Sequence, residues 1–323
     1  MDVTIVIPTK NGGELLDRVL AAVFSQKTQY TYEVICVDSG SKDNTLDIIR
    51  KYDCKLYQIP PSEFGHGKTR NYGAFKGTGT YIIFLTQDAL PAAETWLQNF
   101  IDAMKLDSDI VGGFGIHYPY EDCNIFEKRD LDGHFKGFGL DNTIYFLEDP
   151  KRYKEEEAYR HKLAFFSDNN SCVRRDIFEK YPYEDVNFAE DQLWAIKMIE
   201  LGYKKVYCPF APVYHSHNYP IGTYFSRYYD EYKGLYELHR YKLVEKWYHL
   251  PRYTWNHIRG DYHYLKSITL PRKEKVKWLI YSIRKNHCRY FGGYLAGRYA
   301  DWSPKKQQRI DRLISQQYKQ IHA

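Results

Sequence analysis

The chain has 323 residues, of which 43% are hydrophobic and 27% are charged, which suffices for one large domain with an appendage or for two domains. The net charge of +5 conceals a division, because residues 224–323 carry 21 Lys and Arg against 8 Asp and Glu, a formal charge of +13, and the remainder carries −8. Six scattered cysteines without a Cys-x-x-Cys pair argue against a disulfide framework or a zinc site, and no apolar run approaches the roughly 18–20 residues that cross a bilayer.

The beginning of the chain, MDVTIVIPTK, predicts a strand at once. It lacks the basic region and the apolar region of a signal peptide. We interpret the cysteines as reduced thiols, two of which, Cys36 and Cys54, fall in predicted strands. Both observations lead us to expect a cytoplasmic protein.

Strands and helices alternate through the first third of the chain. The predicted strands are Val3–Ile7, Glu33–Val37, Lys55–Ile59 and Tyr81–Leu85, and the predicted helices are Glu14–Gln26, Thr45–Tyr52, Gly65 to about Lys76, and Ala93–Met104. Strict β-α-β-α alternation implies a parallel sheet that helices cover on both faces. The predicted fold class is therefore α/β.

Three of these strands end in polar or glycine-rich turns, at Pro8–Gly13, Asp38–Asp43 and Thr86–Ala89. The carboxyl ends of parallel strands share one edge of the sheet, and ligands bind at that edge. Asp88 is well placed there to hold a divalent cation against a phosphorylated substrate, although a strand-ending aspartate can instead cap a turn. No G-x-G-x-x-G follows the first strand and no G-x-x-x-x-G-K-[ST] occurs, which argues against a dehydrogenase and a P-loop enzyme.

From Asp109 the pattern changes. We predict a strand at Asp109–His117, an irregular segment over 118–165 and a further strand at Phe166–Val173. A helix follows at Glu190–Leu201, with two acids in its first turn and Gly202 at its end. The remaining predictions are short extended pieces at Lys205–Tyr207 and Pro212–His215, and mainly helix from about Gly222.

Six motifs stand in order along residues 1–220: VTIVIPTKNGG, YEVICVDSGSKDNT, GHGKTRN, FLTQDALP, AEDQLW and HSHNY. In this order they resemble the family 2 glycosyltransferases of the GT-A fold. The variant TQDA, together with GHGKTRN, resembles more narrowly the bacterial rhamnosyltransferases of cell-wall and surface polysaccharide synthesis. The resemblance implies a Rossmann-like, mostly parallel nucleotide-binding sheet flanked by helices. It implies a catalytic domain at 1–221, with a nucleotide-sugar half at 1–110 and an acceptor half at 111–221, and a helical C-terminal region at 222–323.

The resemblance also implies which residues hold the nucleotide sugar. Pro8, Thr9 and Asn11 match the loop that lines the nucleotide. Asp38, with Ser39 beside it, matches the aspartate that accepts the N3–H of a uracil or thymine ring; the alternative role of this carboxylate is to cap the turn that follows it. Arg70 matches a basic residue that neutralises phosphate or holds an acidic neighbour, and its alternative is a surface salt bridge.

Asp88 matches the last aspartate of the family's metal motif, which would hold Mg²⁺ or Mn²⁺ at the diphosphate. Gln87 stands where the family often has an acid, and this substitution weakens the expectation of strict metal dependence. His215 or His217 would be a further metal ligand, and the sequence does not decide between them.

Asp191 matches the catalytic base, which removes the proton of the acceptor hydroxyl as that oxygen attacks the anomeric carbon. The adjacent Glu190 would position groups on the acceptor side and raise the pKa of Asp191 by repulsion, whereas the helix N-terminus would lower it. The alternative is that both acids only stabilise the helix. Trp194 is an acceptor-side candidate that would stack on a sugar, although such aromatic residues more often belong to the core.

The basic C-terminal third interleaves Lys and Arg with Trp and Tyr, most densely in PRKEKVKWLIYSIRKNHCR. This composition suits helices that lie on an anionic membrane surface. The alternatives are a helical appendage that packs on the catalytic domain and a homodimer interface. Charge alone would also suit nucleic acid, but no recognition motif supports it, and we expect no such partner.

The resemblance implies an inverting glycosyltransferase, and the basic, aromatic C-terminal third leads us to expect peripheral association with the inner face of the cell membrane. On the resemblance alone, the expected donor is dTDP-β-L-rhamnose and the expected acceptor a lipid-linked saccharide, with a UDP-hexose or UDP-N-acetylhexosamine transferase as the alternative. A nucleotidyltransferase would need a glycine-rich basic loop after the first strand, where this chain has Pro8–Asn11. A non-catalytic protein that binds polysaccharide or membrane is the remaining alternative, and Asp191 argues against it.

Overall fold

The computed structural model describes residues 1–186 and 189–321, which form two compact units. The first unit comprises Met1–Val186 and Glu190–His217, and the second runs from Asn218 onward. The domain boundary predicted between residues 221 and 222 stays a prediction. None of the described helices is both long enough and apolar enough to span a membrane.

The first unit is built on one mixed sheet. Among the described residues its strands are β1 (Val3–Thr9), β2 (Tyr32–Asp38), β3 (Cys54–Gln58), β4 (Tyr81–Leu85), β5 (Leu90–Pro91), β6 (Ile110–Tyr118), β7 (Thr143–Tyr145), β8 (Asn170–Arg174) and β9 (Lys204–Tyr214). Their order is β3-β2-β1-β4-β8-β6-β9-β5, with β7 also paired to β9. The pairs β3-β2, β2-β1, β1-β4 and β6-β9 are parallel, whereas β8, β5 and β7 run antiparallel to their neighbours.

Helices cover both faces of this sheet, as the alternation predicts. They are α1 (Gly13–Phe24), α2 (Thr45–Ile49), α3 (His66–Lys76), α4 (Trp96–Met104), α5 (Ile125–Lys136), α6 (Pro150–Glu155), α7 (Glu157–Ala164), α8 (Arg175–Lys180) and α9 (Glu190–Glu200). On one face α1 and α4 bury aliphatic side chains and Trp96 against the strands. On the other face lies an aromatic core that includes Phe84, Phe114, Phe166 and Trp194.

Three predictions for the second half of this unit are wrong. The segment 118–165 is not irregular, because it forms α5, β7, α6 and α7, and Asn124 caps α5 by accepting the Glu127 N–H at 2.9 Å. The strand predicted from Phe166 begins only at Asn170, after a turn that the Asn170 N–H closes onto the Ser167 carbonyl. The two extended pieces near the end of the unit are one strand, β9, which passes its prolines by an irregularity in its pairing with β6.

The second unit is helical, as predicted. Its described helices are α10 (Ile221–His239), α11 (Leu250–Ser267), α12 (Arg272–Ala296), α13 (Pro304–Ile314) and α14 (Gln316–Ile321). The long helix α12 packs against α10 and α11. Gly293 of α12 permits a close approach, since a Cβ at this position would lie 2.6 Å from a methyl carbon of Leu243.

Candidate active site

The predicted ligand loops meet at one edge of the sheet. Strands β2, β1 and β4 are adjacent and parallel, so their carboxyl ends lie side by side, and Thr9 is the register partner of Asp38. The loop after β1 is tied to the loop after β2 through Asn11, whose N–H donates to Ser41 Oγ at 2.8 Å and whose Oδ1 accepts the Lys42 N–H at 2.8 Å. Asn11 has φ +50°, a conformation that asparagine tolerates better than most residues. Pro8, Thr9 and Asn11 therefore stand together at this edge.

Gln87 ties the loop after β4 to the same place. Its Oε1 accepts the Lys10 N–H at 2.9 Å and its Nε2 donates to the Lys10 carbonyl at 3.1 Å. An amide side chain supplies both the donor and the acceptor that this pairing needs, whereas a carboxylate supplies acceptors alone. Gln87 therefore holds the main chain of the loop after β1 in place through two hydrogen bonds to Lys10.

Asp38 is fully buried and makes the contacts of a turn cap. Its Oδ1 accepts the N–H groups of Gly40 at 3.0 Å and Ser41 at 2.9 Å, and its Oδ2 accepts the hydroxyls of Thr9 at 3.3 Å and Ser41. Ser39 donates its N–H to the Thr9 carbonyl at 3.0 Å. The structure thus shows the capping role of Asp38, and its contact with a pyrimidine base stays a prediction.

Asp88, His215 and His217 converge on one point. Asp88 Oδ1 lies 3.6 Å from His215 Nε2, and Asp88 Oδ2 lies 3.7 Å from His217 Nε2. One ligand atom from each residue fits within a span of 4.8 Å. The sheet explains the approach, because β5 pairs antiparallel with β9 through Leu90 and Tyr214 and thereby holds the two segments side by side.

This donor set fits a divalent cation. The three side chains supply one carboxylate and two imidazoles, and they are only partly exposed. Mg²⁺ prefers oxygen ligands throughout, whereas imidazole nitrogen suits transition metals. The residues present therefore fit a divalent cation such as Mg²⁺ or Mn²⁺.

Tyr120 connects the segments that carry this trio, and no sequence pattern singled it out. Its hydroxyl donates to the Asp88 carbonyl at 3.0 Å, and its N–H donates to Ser216 Oγ at 2.9 Å. Burial raises the pKa of the Tyr120 phenol to about 12, so the hydroxyl keeps its proton and remains a donor. Tyr120 therefore links the segment that carries Asp88 to the segment that carries both histidines.

A second group of charged side chains lies in the aromatic half of the unit. Arg70 of α3 is buried; its Nε lies 2.9 Å from Asp168 Oδ2, and one terminal nitrogen lies 3.4 Å from Glu190 Oε1. Arg70 therefore holds acidic neighbours, as the resemblance implied, and a surface salt bridge is excluded. Gly67 lets α3 come this close, because a Cβ there would lie 2.8 Å from the Glu184 carbonyl oxygen and 3.3 Å from Glu190 Cγ.

Asp191 completes this acidic cluster, which we define as Arg70, Asp168, Glu190 and Asp191. Asp191 Oδ2 accepts the Asp168 N–H at 3.1 Å and its Oδ1 accepts the Gln192 N–H at 2.7 Å. Burial, followed by the negative charge of Asp168, raises the pKa of Asp191 to about 7, and the same two causes raise the pKa of Glu190 well above its usual range. Of the four side chains in the cluster, Asp191 alone keeps partial exposure.

Sequence reasoning missed Asp168. The residue was assigned to the interior of a strand, although it lies in the turn before β8. The neighbouring Asn169 carbonyl accepts the Thr86 N–H at 3.2 Å, so this turn adjoins the loop that carries Asp88. The polar run Ser167–Asn170 is the signal that would have marked a turn at this edge.

Trp194 is buried in the aromatic core of the first unit. It is 3% exposed, its indole N–H donates to the Tyr181 carbonyl at 2.8 Å, and its ring packs on Phe166 with centroids 5.4 Å apart. A Cβ on Gly112 would lie 2.7 Å from the ring. These contacts favour the core role that the sequence left open.

The chain is similar in sequence and in fold to several known proteins. The profile of Glycosyl transferase family 2 matches residues 4–182. The O-antigen chain rhamnosyltransferase RfbN of Salmonella typhimurium is 35% identical over 235 residues, which cover 71% of this chain and 71% of that protein. The poly(ribitol-phosphate) beta-N-acetylglucosaminyltransferase TarP of Staphylococcus aureus is 27% identical over 300 residues, 86% of each chain. Among solved structures, the mannosyltransferase PcManGT of Pyrobaculum calidifontis in complex with GDP-Man and Mn²⁺ superposes with a TM-score of 0.54 at 15% identity, covering 99% of this chain and 84% of that one.

Proposed function

The chain belongs to glycosyl transferase family 2 and has the GT-A fold, and on this basis we propose that it is an inverting transferase of L-rhamnose from dTDP-β-L-rhamnose. The observation that carries the choice of sugar is the similarity to an O-antigen chain rhamnosyltransferase over 71% of both chains. The site geometry supports the reaction class, since the same unit brings together three side chains that could hold a cation and contains a carboxyl whose pKa is raised.

The donor would lie across the loops after β1, β2 and β4. Pro8, Thr9, Asn11 and Ser39 would line the nucleotide, and Asp38 would meet the pyrimidine ring. Asp88, His215 and His217 would hold the cation. When bound, the cation would offset negative charge on the departing nucleoside diphosphate.

Asp191 would be the general base. The acceptor hydroxyl oxygen attacks the anomeric carbon, the bond from that carbon to the diphosphate oxygen breaks, and the hydroxyl proton passes to Asp191. Attack from the face opposite the leaving group converts the β-L-rhamnosyl donor into an α-L-rhamnoside. A carboxylate with a pKa of about 7 accepts a proton far more readily near neutral pH than an ordinary aspartate does. Arg70 and Asp168 would fix its position through the acidic cluster.

The acceptor would be a lipid-linked saccharide at the inner face of the cell membrane. Two features support this assignment: the similarity to an O-antigen chain transferase and the formal charge of +13 on residues 224–323. Transfer of N-acetylglucosamine or another hexose from a UDP-sugar is the alternative, which the similarity to TarP over 86% of both chains favours.

A calorimetric titration with dTDP, UDP and GDP, each with and without Mn²⁺, tests the donor site. We expect dTDP to bind most tightly and Mn²⁺ to strengthen its binding, because Asp88, His215 and His217 would hold a cation that offsets the charge of the diphosphate. Asp88→Asn should remove the effect of Mn²⁺ and leave metal-free dTDP binding within about twofold. A preference for UDP would support the alternative donor, and a Mn²⁺ effect that survives in Asp88→Asn would place the cation elsewhere.

The Asp191→Asn variant tests the catalytic base. Turnover of dTDP-rhamnose in the presence of acceptor should fall by about 10²–10⁴-fold, the usual contribution of general-base catalysis, while dTDP binding stays unchanged. Asp141→Asn, an exposed carboxylate in the same unit, serves as the control and should transfer normally. Unchanged turnover in Asp191→Asn would remove this residue from the mechanism.

A further inference from the structure

The exposed surface of α12 carries a row of apolar side chains. Val276, Ile280, Ile283 and Phe291 are spaced so that they fall on one face of the helix, with His287 between the last two. All of these are exposed, and Ile280 keeps 53% of its surface accessible. Soluble helices usually turn such a row toward a core, so this one suits a partner that offers an apolar surface.

The neighbouring helix α11 presents aromatic and basic side chains in alternation. Trp255, Arg259, Tyr262 and Lys266 follow one another at four, three and four residues, which places them on one face, and all four are exposed. Trp255 is 65% exposed, and the Lys266 ammonium lies 5.2 Å from the centroid of the Tyr262 ring. Trp and Tyr interleaved with Arg and Lys are the residues that proteins place at the boundary between hydrocarbon and water.

An apolar groove lies within the second unit where α10, α11 and α12 meet. Its volume is about 530 Å³, and its lining comprises Phe225, Leu250, Pro251, Thr254, Trp255, Ile258, His287, Cys288 and Phe291. Phe291 stacks on Phe225 with centroids 5.8 Å apart and is still half exposed. Because Trp255 belongs to the α11 row and Phe291 to the α12 row, the groove is continuous with both exposed rows.

Cations border the apolar row. Lys273, Lys277 and Arg284 are exposed and spaced by four and seven residues, so they run alongside it on α12, and Arg272 flanks its start. One acidic residue, Glu274, lies among these cations, with its carboxylate 3.8 Å from Lys277 Nζ. The partner that matches this surface is therefore both apolar and anionic.

We propose that the face formed by the exposed rows of α11 and α12 docks on an anionic phospholipid bilayer, with a lipid chain entering the groove between Trp255 and Phe291. A second copy of this chain fits less well, because a twofold interface would set these cations against themselves. A nucleic acid would leave Val276, Ile280 and Ile283 uncovered. The inference deepens the proposed work on a lipid-linked acceptor by naming the surface that meets the membrane.

Sedimentation of the full chain with vesicles tests the proposal. Binding to vesicles of phosphatidylglycerol and phosphatidylcholine should exceed binding to phosphatidylcholine alone. The double variant Lys273→Glu/Arg284→Glu should lose affinity for the anionic vesicles by at least about tenfold, since each cation near such a surface contributes measurably to attachment. The matched control Lys305→Glu/Arg309→Glu changes the same charge on exposed residues of α13 and should stay within about twofold.

Replacement of exposed apolar side chains by asparagine tests whether the apolar row of α12 contributes to docking. Ile280→Asn should weaken vesicle binding, and Leu313→Asn, which changes an exposed side chain of α13, should not. If both charge variants lost vesicle affinity equally, the overall charge of the unit would explain the binding. The proposed docking face would then be wrong. A dimer in sedimentation velocity that Ile280→Asn dissociates, with vesicle binding unchanged, would assign the face to a second copy instead.

Thermal unfolding and nucleotide binding of each variant confirm that it is folded. Vesicle binding needs no turnover, so failure of the lipid proposal and failure of the proposed transferase activity would be seen in different assays.

Discussion

A backbone hydrogen bond joins Asp168 to Asp191, the two carboxylates of the acidic cluster on which the predicted base chemistry depends. The Asp168 N–H donates to Asp191 Oδ2, and the Asp168 carboxylate pairs with Arg70 at 2.9 Å. The main chain of Asp168 thus stabilises the ionised form of Asp191, while its side chain, after burial, is the strongest cause that raises the pKa of Asp191 to about 7. We interpret Asp168 as a positioning residue that sets the pH at which Asp191 becomes a base.

The pH dependence of turnover should reveal this arrangement. Because Asp191 must be ionised to accept a proton, kcat/KM should fall about tenfold for each pH unit below about 7. Asp168→Asn removes a negative charge and leaves Arg70 to favour the ionised form, so the pKa of Asp191 should fall and the acid limb should move to lower pH. A pH profile of kcat/KM for both proteins measures the shift.

Asp141→Asn is the control for this profile, since Asp141 is an exposed carboxylate outside the cluster. A merely structural role for Asp168 would lower activity at every pH without moving the limb. A shift toward higher pH would contradict the assignment of repulsion as the cause.

The motifs singled out Asp88, His215 and His217, and the structure brings these three side chains together. Their role in metal binding, and the role of Asp191 as a base, stay predictions. Asp168 and Tyr120 were missed because each contacts segments far away in the chain, which local periodicity does not report.

At the scale of elements, the loop after β1 depends on a neighbour distant in sequence. Gln87 pairs with both main-chain groups of Lys10, so the loop after β4 holds the loop after β1 in place. Gly12 leaves room for this amide, since a Cβ there would lie 2.9 Å from Gln87 Oε1. The family's usual acid at this position would lose the donor half of the pairing.

Gln87→Glu should therefore weaken metal-free nucleotide binding by about fivefold, because the Lys10 carbonyl would face a carboxylate in place of an N–H donor. Calorimetry with dTDP and UDP in the absence of metal measures the effect. Gln308→Glu on α13 makes the same change at an exposed position and should bind normally. Tighter binding of Mn²⁺ together with unimpaired nucleotide binding in Gln87→Glu would show that residue 87 is a metal ligand instead.

The strand and helix predictions were correct where the spacing of apolar residues in the sequence reflects burial in the sheet. They were wrong where packing among aromatic side chains determines the structure. The strands β1, β2 and β4 are buried apolar runs, whereas β3 is only partly buried, and all four were predicted within a few residues. In 118–165 the helices are short, and Phe135 and Phe138 contact rings brought in by distant strands, among them Phe114 and Tyr207. Local sequence carries little of that information.

At the scale of the whole molecule, the alternation of strands and helices predicted an α/β protein, and the resemblance supplied the remainder of the fold. The antiparallel insertion of β8 between β4 and β6 was not predicted, because strand order within a sheet depends on crossings that no local pattern encodes. The opposite charges of the front and back of the chain, −8 and +13, were visible from composition alone.

The pairing of β5 with β9 has a consequence for the lifetime of the protein. Asp88 and the two histidines belong to segments far apart in the chain, so a cation shared by them would act as a reversible cross-link. A ligand that binds only the folded state stabilises it by about 2.7 kcal/mol at a hundred times its dissociation constant. A bound cation would then slow proteolysis of the chain, whether or not a sugar is transferred.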